Sequence, residues 1–376
     1  MAGIYIHIPY CKKKCTYCNF YFKISQKDKK EMLKCMEKEI IQRKNQLTNQ
    51  KVKTIYFGGG TPSILSKDEI KSLLKKIYEN YKVIQNPELT IECNPEDLNN
   101  IKLESYKKIG INRLSIGVQS FKDDELRFMN RSHNSIKAIK SIKLAQKIGF
   151  TNITIDLIYG IPNQTLNDWK KNLNIMFKLG IQHFSAYCLT IEKKTALYNL
   201  VKNKKLTVLS DKRIVNQFNL LKKEAKKKGF IHYEISNFAK KGYFSKHNTS
   251  YWKNDHYVGV GPSAHSYNGN IRRWNVSSHK KYISNSINNI NFFEQETLSL
   301  EQHYNEYILT SLRTMWGPSN IVVKNRYGKK AELYFLDEIK KWEKKNYIKK
   351  NLTNYALTEN GKLFADAIAS DLFIIS

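Results

Sequence analysis

The sequence has no run approaching about 18 consecutive apolar residues, which excludes a transmembrane helix. Met1 to Pro9 carries neither a basic stretch nor a long apolar one. No secretory signal is therefore expected, and the cytoplasm is the expected compartment. Acidic side chains are scarce: 33 Asp and Glu stand against 64 Lys and Arg, for a net charge of +31. Arginine is scarcer still, nine of those 64. It is the side chain suited to bidentate phosphate and base contacts, and the lysines are spread along the whole chain among Asn and Ile. The charge thus reads first as compositional, with a functional basic face as the alternative, and nucleic acid is not an expected partner. Solenoid repeats and long low-complexity linkers are lacking too.

What is present suits a globular protein of about two domains. There are 376 residues, 41% hydrophobic and 26% charged. Short β-rich runs alternate with amphipathic stretches. The runs are 3–8, 53–57, 89–93, 113–118, 152–157 and 183–189; the helix-like stretches include 29–45, 67–81, 136–148 and 166–179. Six such units in series imply parallel strands joined by right-handed crossovers, hence an α/β fold built as a partial (β/α)6 barrel. In that architecture the functional site lies at the C-terminal ends of the strands. Polar, glycine- and cysteine-rich segments recur there: Cys11 to Cys18, Gly58–Pro62, Asn94–Glu96, Gln119-Ser120 and Tyr159–Pro162.

After about residue 200 the alternation fades into an aromatic-rich extension. From about 297 the chain reads as helices, a short β-like hairpin near 347–357 and a last helix, a smaller winged-helix-like domain. The expected division is a barrel domain of residues 1–290, extension included, and a C-terminal domain of residues 291–376.

Six cysteines would pair evenly, but Cys11, Cys15 and Cys18 crowd into eight positions, which is no disulfide framework. Cys35, Cys93 and Cys188 read as buried small apolar side chains. Cys11-x3-Cys15-x2-Cys18 can hold three corners of a cubane [4Fe–4S] cluster and leave one iron open, as catalytic clusters need. Alternatives are a Cys3His zinc site completed by His7 or another histidine, and a chance grouping.

Tyr5-Ile-His-Ile-Pro-Tyr-Cys11-x3-Cys15-x-Tyr17-Cys18 resembles the radical S-adenosylmethionine (SAM) signature. Gly58–Pro62, Ile91–Pro95, Ser115–Phe121, Asn130–His133, Asp156–Pro162, Tyr233–Phe238 and His247–Trp252 extend the likeness over nearly the whole chain. Together they resemble the oxygen-independent coproporphyrinogen III oxidase family, which includes a branch of heme chaperones of HemW type.

The resemblance implies a [4Fe–4S] cluster on Cys11, Cys15 and Cys18, with SAM chelating the open iron and reductively cleaved there. It implies SAM contacts from Gly59, Gly60 and Thr61, whose backbone can approach the methionine end closely. Glu92 would pair with the SAM ammonium or a ribose hydroxyl. Gln119, Arg131 and Asp156 would touch SAM or a second ligand, and Tyr5 and Tyr17 would flank it. Core or rim packing is the alternative for the two tyrosines. The motif His247-Asn248-x2-Tyr251-Trp252 resembles the chaperone branch, with His247 as a heme ligand and the aromatics packing on the porphyrin. A structural loop is the alternative.

Two departures separate the chain from the oxidases. They carry a further Cys where this chain has Phe20, and an extended segment before the cluster motif, where this chain has ten residues. The expected function is a heme chaperone that receives heme and passes it to acceptor proteins, by resemblance respiratory ones. A homodimer and peripheral contact with an anionic membrane are compatible with this. The alternative is a coproporphyrinogen III oxidase decarboxylating propionates; radical-SAM modification of RNA is a third, remoter class.

Overall fold

The computed structural model describes residues 1–375. Six strands run parallel in sequence order: β1 (Ala2–Ile8), β2 (Val52–Gly59), β3 (Val83–Cys93), β4 (Arg113–Gln119), β5 (Ile153–Tyr159) and β6 (His183–Cys188). Burial along β1 and β5 is nearly continuous, as expected when both faces of a parallel sheet are covered. The covering helices include Lys29–Gln42, Lys67–Asn80, Ser135–Lys147 and Leu166–Lys178. Two begin with reciprocal caps, Ser66 with Glu69 and Thr165 with Asp168. The expected α/β pattern is therefore realised unit by unit.

Antiparallel strands widen the sheet on both sides. Beyond β6 lie β7 (Ile231–Glu234) and β8 (Asn237–Ala239), with β8 next to β6. On the other side β9 (His256–Val260) pairs parallel with β1, followed by β10 (His265–Tyr267), β11 (Ile271–Asn275) and β12 (Phe293–Thr297). The sheet has 12 strands, ends on β12 and β7, and is open. Because β12 is one of them, the large sheet continues past position 290, where the sequence suggested a boundary.

A buried polar hub ties the β9–β11 extension to the first helix. Arg43 donates to Glu39 (3.0 Å), to Ser266 (2.6 Å) and to the Gly259 carbonyl. Glu39 also accepts from Gly261 N–H (2.9 Å), Asn275 Nδ2 (2.8 Å) and the Tyr282 hydroxyl (2.6 Å). Every lobe of this buried carboxylate is thus engaged, which a buried charge requires.

A second apolar core gathers Tyr304, Ile308, Val323, Phe335, Ile348 and Ile368. It lies under helices Leu300–Leu312 and Asn320–Lys344, an antiparallel hairpin (Ile348–Asn351 with Asn354–Leu357) and the helix Ala365–Asp371. The long helix is broken at Gly328, whose φ of 90° no helix interior accommodates. This unit is attached to the sheet by Arg313, which pairs with buried Glu234 at 3.1 Å, and by the N–H of Ile235 donating to the Arg313 carbonyl.

Candidate functional site

The C-terminal ends of β2 to β6 and the loop after β1 enclose a cavity of about 950 Å³. Cys11, Cys15, Tyr17 and Cys18 line it from the loop after β1. Gly59, Gly60 and Thr61 line it from the end of β2, and Glu92, Gln119 and Asp156 from β3, β4 and β5. Arg131 reaches in from the segment after β4. Eleven residues expected from sequence to bind cluster or SAM thus share one wall system.

The glycines earn their place sterically. A Cβ on Gly60 would fall 2.6 Å from the Tyr10 carbonyl oxygen and 2.9 Å from that of Ile8. Gly59 has φ +106°, and a Cβ there would meet the His7 ring at 2.7 Å. Backbone therefore approaches backbone where β1 and β2 deliver the loop. Gln119 holds φ 67° at the end of β4, an uncommon conformation for a side-chain-bearing residue. Strain of this kind concentrates at functional sites.

The thiols are free, partly exposed and positioned by the same frame. Cys11 accepts from the Thr61 hydroxyl at 3.3 Å, and Cys15 from Arg131 at 3.4 Å. Burial, followed by the neighbouring cysteines, pushes the Cys11 thiol up to about 12; burial raises Cys18 as well. Thiols of this kind ionise on binding metal. No three His, Cys, Asp or Glu side chains converge on a single-ion site among the described residues. His7 spends its ring nitrogens on Tyr5 (3.2 Å) and the Tyr21 carbonyl (3.1 Å), away from a Cys3His zinc site. A cubane presents its irons at separate corners, so its thiolates need not converge on one point. The donor set fits such a cluster.

Two acids on the lining, Glu92 and Asp156, are buried without a salt bridge among the described residues. Burial pushes Glu92 up to about 8 although it accepts from the Tyr56 hydroxyl (2.8 Å) and Gly59 N–H (3.2 Å). Burial likewise pushes Asp156 up to about 6 against the pull of Ser185 and Arg113. Such acids call for a cationic ligand. Arg131 supplies the opposite need. Its NH2 group is held by Asn94 (2.6 Å) and the Gly117 carbonyl (2.9 Å), while its buried Nε has no partner. One cavity thus offers both carboxylate acceptors and an orphaned guanidinium donor, which suits a zwitterionic ligand.

Two expected residues lie elsewhere. Tyr5 does not line this cavity; it packs against Tyr56 and His247, which stack on each other, and it borders a second cavity. His247 is 1% exposed. Its Nδ1 lies 2.7 Å from the Thr54 hydroxyl and its Nε2 2.8 Å from that of Tyr251. Burial pushes it down to about 3, so it is neutral with both nitrogens committed. In this arrangement the histidine expected as heme ligand is buried and hydrogen-bonded on both sides of its ring. Tyr251 and Trp252 do border the second cavity. Cys188 departs from its expected burial: it is partly exposed and lines the first cavity, whereas Cys35 and Cys93 are buried.

Sequence reasoning missed Tyr56, Tyr187 and Arg313. Tyr187 lies at the end of β6 and follows the strand-end rule. Tyr56 lies two residues before the first glycine of the turn. Arg313 comes from the C-terminal unit, where no local signal points to the cavity.

A fold with three such cysteines after its first strand, and the glycine turn after its second, matches known proteins closely. The family described as "Radical SAM superfamily" matches residues 5–176. "Heme chaperone HemW" of Bacillus subtilis is 36% identical, covering 98% of this chain and 98% of that protein. The protein of the same name from Buchnera aphidicola (subsp. Schizaphis graminum) is 32% identical, covering 97% and 96%. Among solved structures, coproporphyrinogen III oxidase (HemN) from Escherichia coli, described as a radical SAM enzyme, superposes with a TM-score of 0.85 at 22% identity, covering 99% of this chain and 90% of that one. The chain belongs to the radical SAM superfamily and, within it, to the HemW family.

Proposed function

We propose that the chain is a cytoplasmic heme chaperone with a radical-SAM core, passing heme to acceptor hemoproteins, by resemblance respiratory ones. The observation that carries this reading is the end-to-end match to proteins named heme chaperones, at 36% identity over 98% of both chains. No helix among the described residues is long and apolar enough to cross a membrane.

Cys11, Cys15 and Cys18 would hold a [4Fe–4S] cluster, with Thr61 and Arg131 steadying two of the sulfurs. When bound, the cluster supplies an electron and an open iron for the amino-acid end of SAM. The turn Gly59–Thr61 lets backbone approach that ligand. Glu92 and Asp156 take up its positive charge, and Glu92 gives up a proton that burial otherwise retains near neutral pH. The Arg131 Nε offers a donor to its carboxylate. Gln119 and Tyr17 close the walls, and Tyr17 packs against Leu126, Met129 and Ile158. These residues bind and orient; the heme task is assigned elsewhere on the surface.

The test is a heme titration of anaerobically reconstituted protein, read in the Soret band. Saturable binding of one heme per chain supports the reading. Absence of saturable binding overturns it, and turnover of coproporphyrinogen III becomes the assay to run.

A further inference from the structure

We infer that the second cavity is the porphyrin site and that His265 is the axial ligand to heme iron. This rests on the heme-binding reading above and assigns it a place. The cavity, of about 1130 Å³, lies on the other side of the cysteine loop: Cys18, Asn19, Phe20 and Phe22 line both cavities. The loop is thus a shared wall. A volume just above the usual range of ligand cavities has room for a flat macrocycle.

The lining has the three parts that heme requires. Apolar faces come from Tyr251, Trp252, Tyr257 and Phe20. Phe20 is 71% exposed, and Ile24 and Leu309, also exposed, border the same space. Large apolar side chains exposed around one cavity mark a binding site rather than packing. Cations for two propionates come from Lys14, Lys193 and Lys194, all exposed, and from Arg272, which is paired with Glu306 at 2.5 Å. Asp255 and Glu306 are the opposing acids on the lining, so cations outnumber them.

The iron ligand follows by elimination among nine histidines. Seven have a ring nitrogen engaged: His7, His133, His183, His232, His247, His279 and His303. Of the other two, His256 and His265, it is His265 that lines the cavity. It opens β10, is exposed, and is flanked by Trp274 with ring centroids 6.2 Å apart. An imidazole kept off hydrogen bonds beside an apolar, cation-rimmed cavity is free to ligate iron.

The experiment compares wild type, His265→Ala, His247→Ala and the double variant Lys193→Glu/Lys194→Glu as full-length reconstituted protein. Heme titrations are read in the Soret band and in the axial-ligand signature by electron paramagnetic resonance or resonance Raman. His265→Ala replaces an exposed side chain and should fold normally by circular dichroism. It should lose the histidine-ligated signature and weaken binding by roughly tenfold or more. The double charge reversal should weaken binding while keeping the signature. The proposal is overturned if wild type binds one heme and His265→Ala keeps both signature and affinity, or if folded His247→Ala is the variant that loses the signature. If wild type binds no heme, the chaperone reading itself has failed.

Discussion

His247 is fastened to Thr54 across the inside of the sheet: Nδ1 and the threonine hydroxyl lie 2.7 Å apart, and Gly3 makes room for the contact. A Cβ at Gly3 would stand 2.8 Å from Thr54 Oγ1 and 3.1 Å from the His247 ring. The histidine thus anchors the helix Lys246–Trp252 beneath β1 and β2, and Tyr251 caps its other nitrogen at 2.8 Å. Replacing His247 by Ala leaves a cavity and two unsatisfied hydroxyls. The expected cost is about 2–4 kcal/mol. Urea unfolding should show a lower midpoint at unchanged slope. A loss under about 0.5 kcal/mol would mean that the side chain is not anchored this way.

Glu92 lies in the folded chain with its carboxyl pushed up to about 8 by burial. It therefore holds a proton near neutral pH that a cationic ligand would displace. SAM binding near pH 7 should release protons, read as a dependence of calorimetric heat on the buffer's ionisation enthalpy. Glu92→Gln should weaken binding and reduce the release. Proton release of equal size in wild type and Glu92→Gln would remove Glu92 from the SAM site.

Acid should destabilise the fold in a window set by buried imidazoles. Burial pushes His232 and His247 down to about 3, and His183 well below its ordinary value. Below pH about 6.5 the unfolded chain binds protons that the folded chain refuses, so stability falls as pH falls toward 3. Glu92 and Asp156 work in the opposite sense, because their folded carboxyls bind protons more tightly than the unfolded ones. Their stabilisation grows as pH falls and is complete below about 4. The decline should therefore be shallow at first and steep between about pH 4 and 3. Glu92→Gln should steepen it between about 6.5 and 4.5. Unfolding midpoints measured across this range check both statements; a flat profile down to pH 3 contradicts them.

Much of this was legible in the sequence because it is local. β1 to β6 are short runs of β-branched and aromatic residues separated by helices whose caps and periodicity are written nearby. The cysteine loop and the glycine turn lie beside their strands, so one rule about strand ends collected Cys11, Gly59, Glu92, Gln119 and Asp156. The rest depends on distant partners. β9 joins as a seventh parallel strand because Ala2 pairs with His256, a contact no local pattern announces. Tyr5 pairs in register with Tyr56 and lies beside His247, far along the chain, on the side that borders the second cavity. His247 reads as a ligand beside Tyr251 and Trp252; its bond to Thr54, nearly two hundred residues earlier, is written nowhere in that motif.

The three cysteines should act as one unit. Replacing Cys11, Cys15 and Cys18 together by Ala should abolish the brown chromophore and the iron of anaerobically reconstituted protein. Heme should still bind, because its proposed ligand is on β10. A triple variant that retains four irons per chain would refute the cluster assignment.

The central claim is that heme is cargo here. The most direct measurement loads the chain with heme, mixes it anaerobically with a heme-free acceptor hemoprotein, and follows the acceptor's Soret band. The account predicts that acceptor absorbance grows as the chain's own band decays, without SAM cleavage being required. Heme retained on the chain, alongside catalytic conversion of coproporphyrinogen III in the presence of SAM and a reductant, would contradict it.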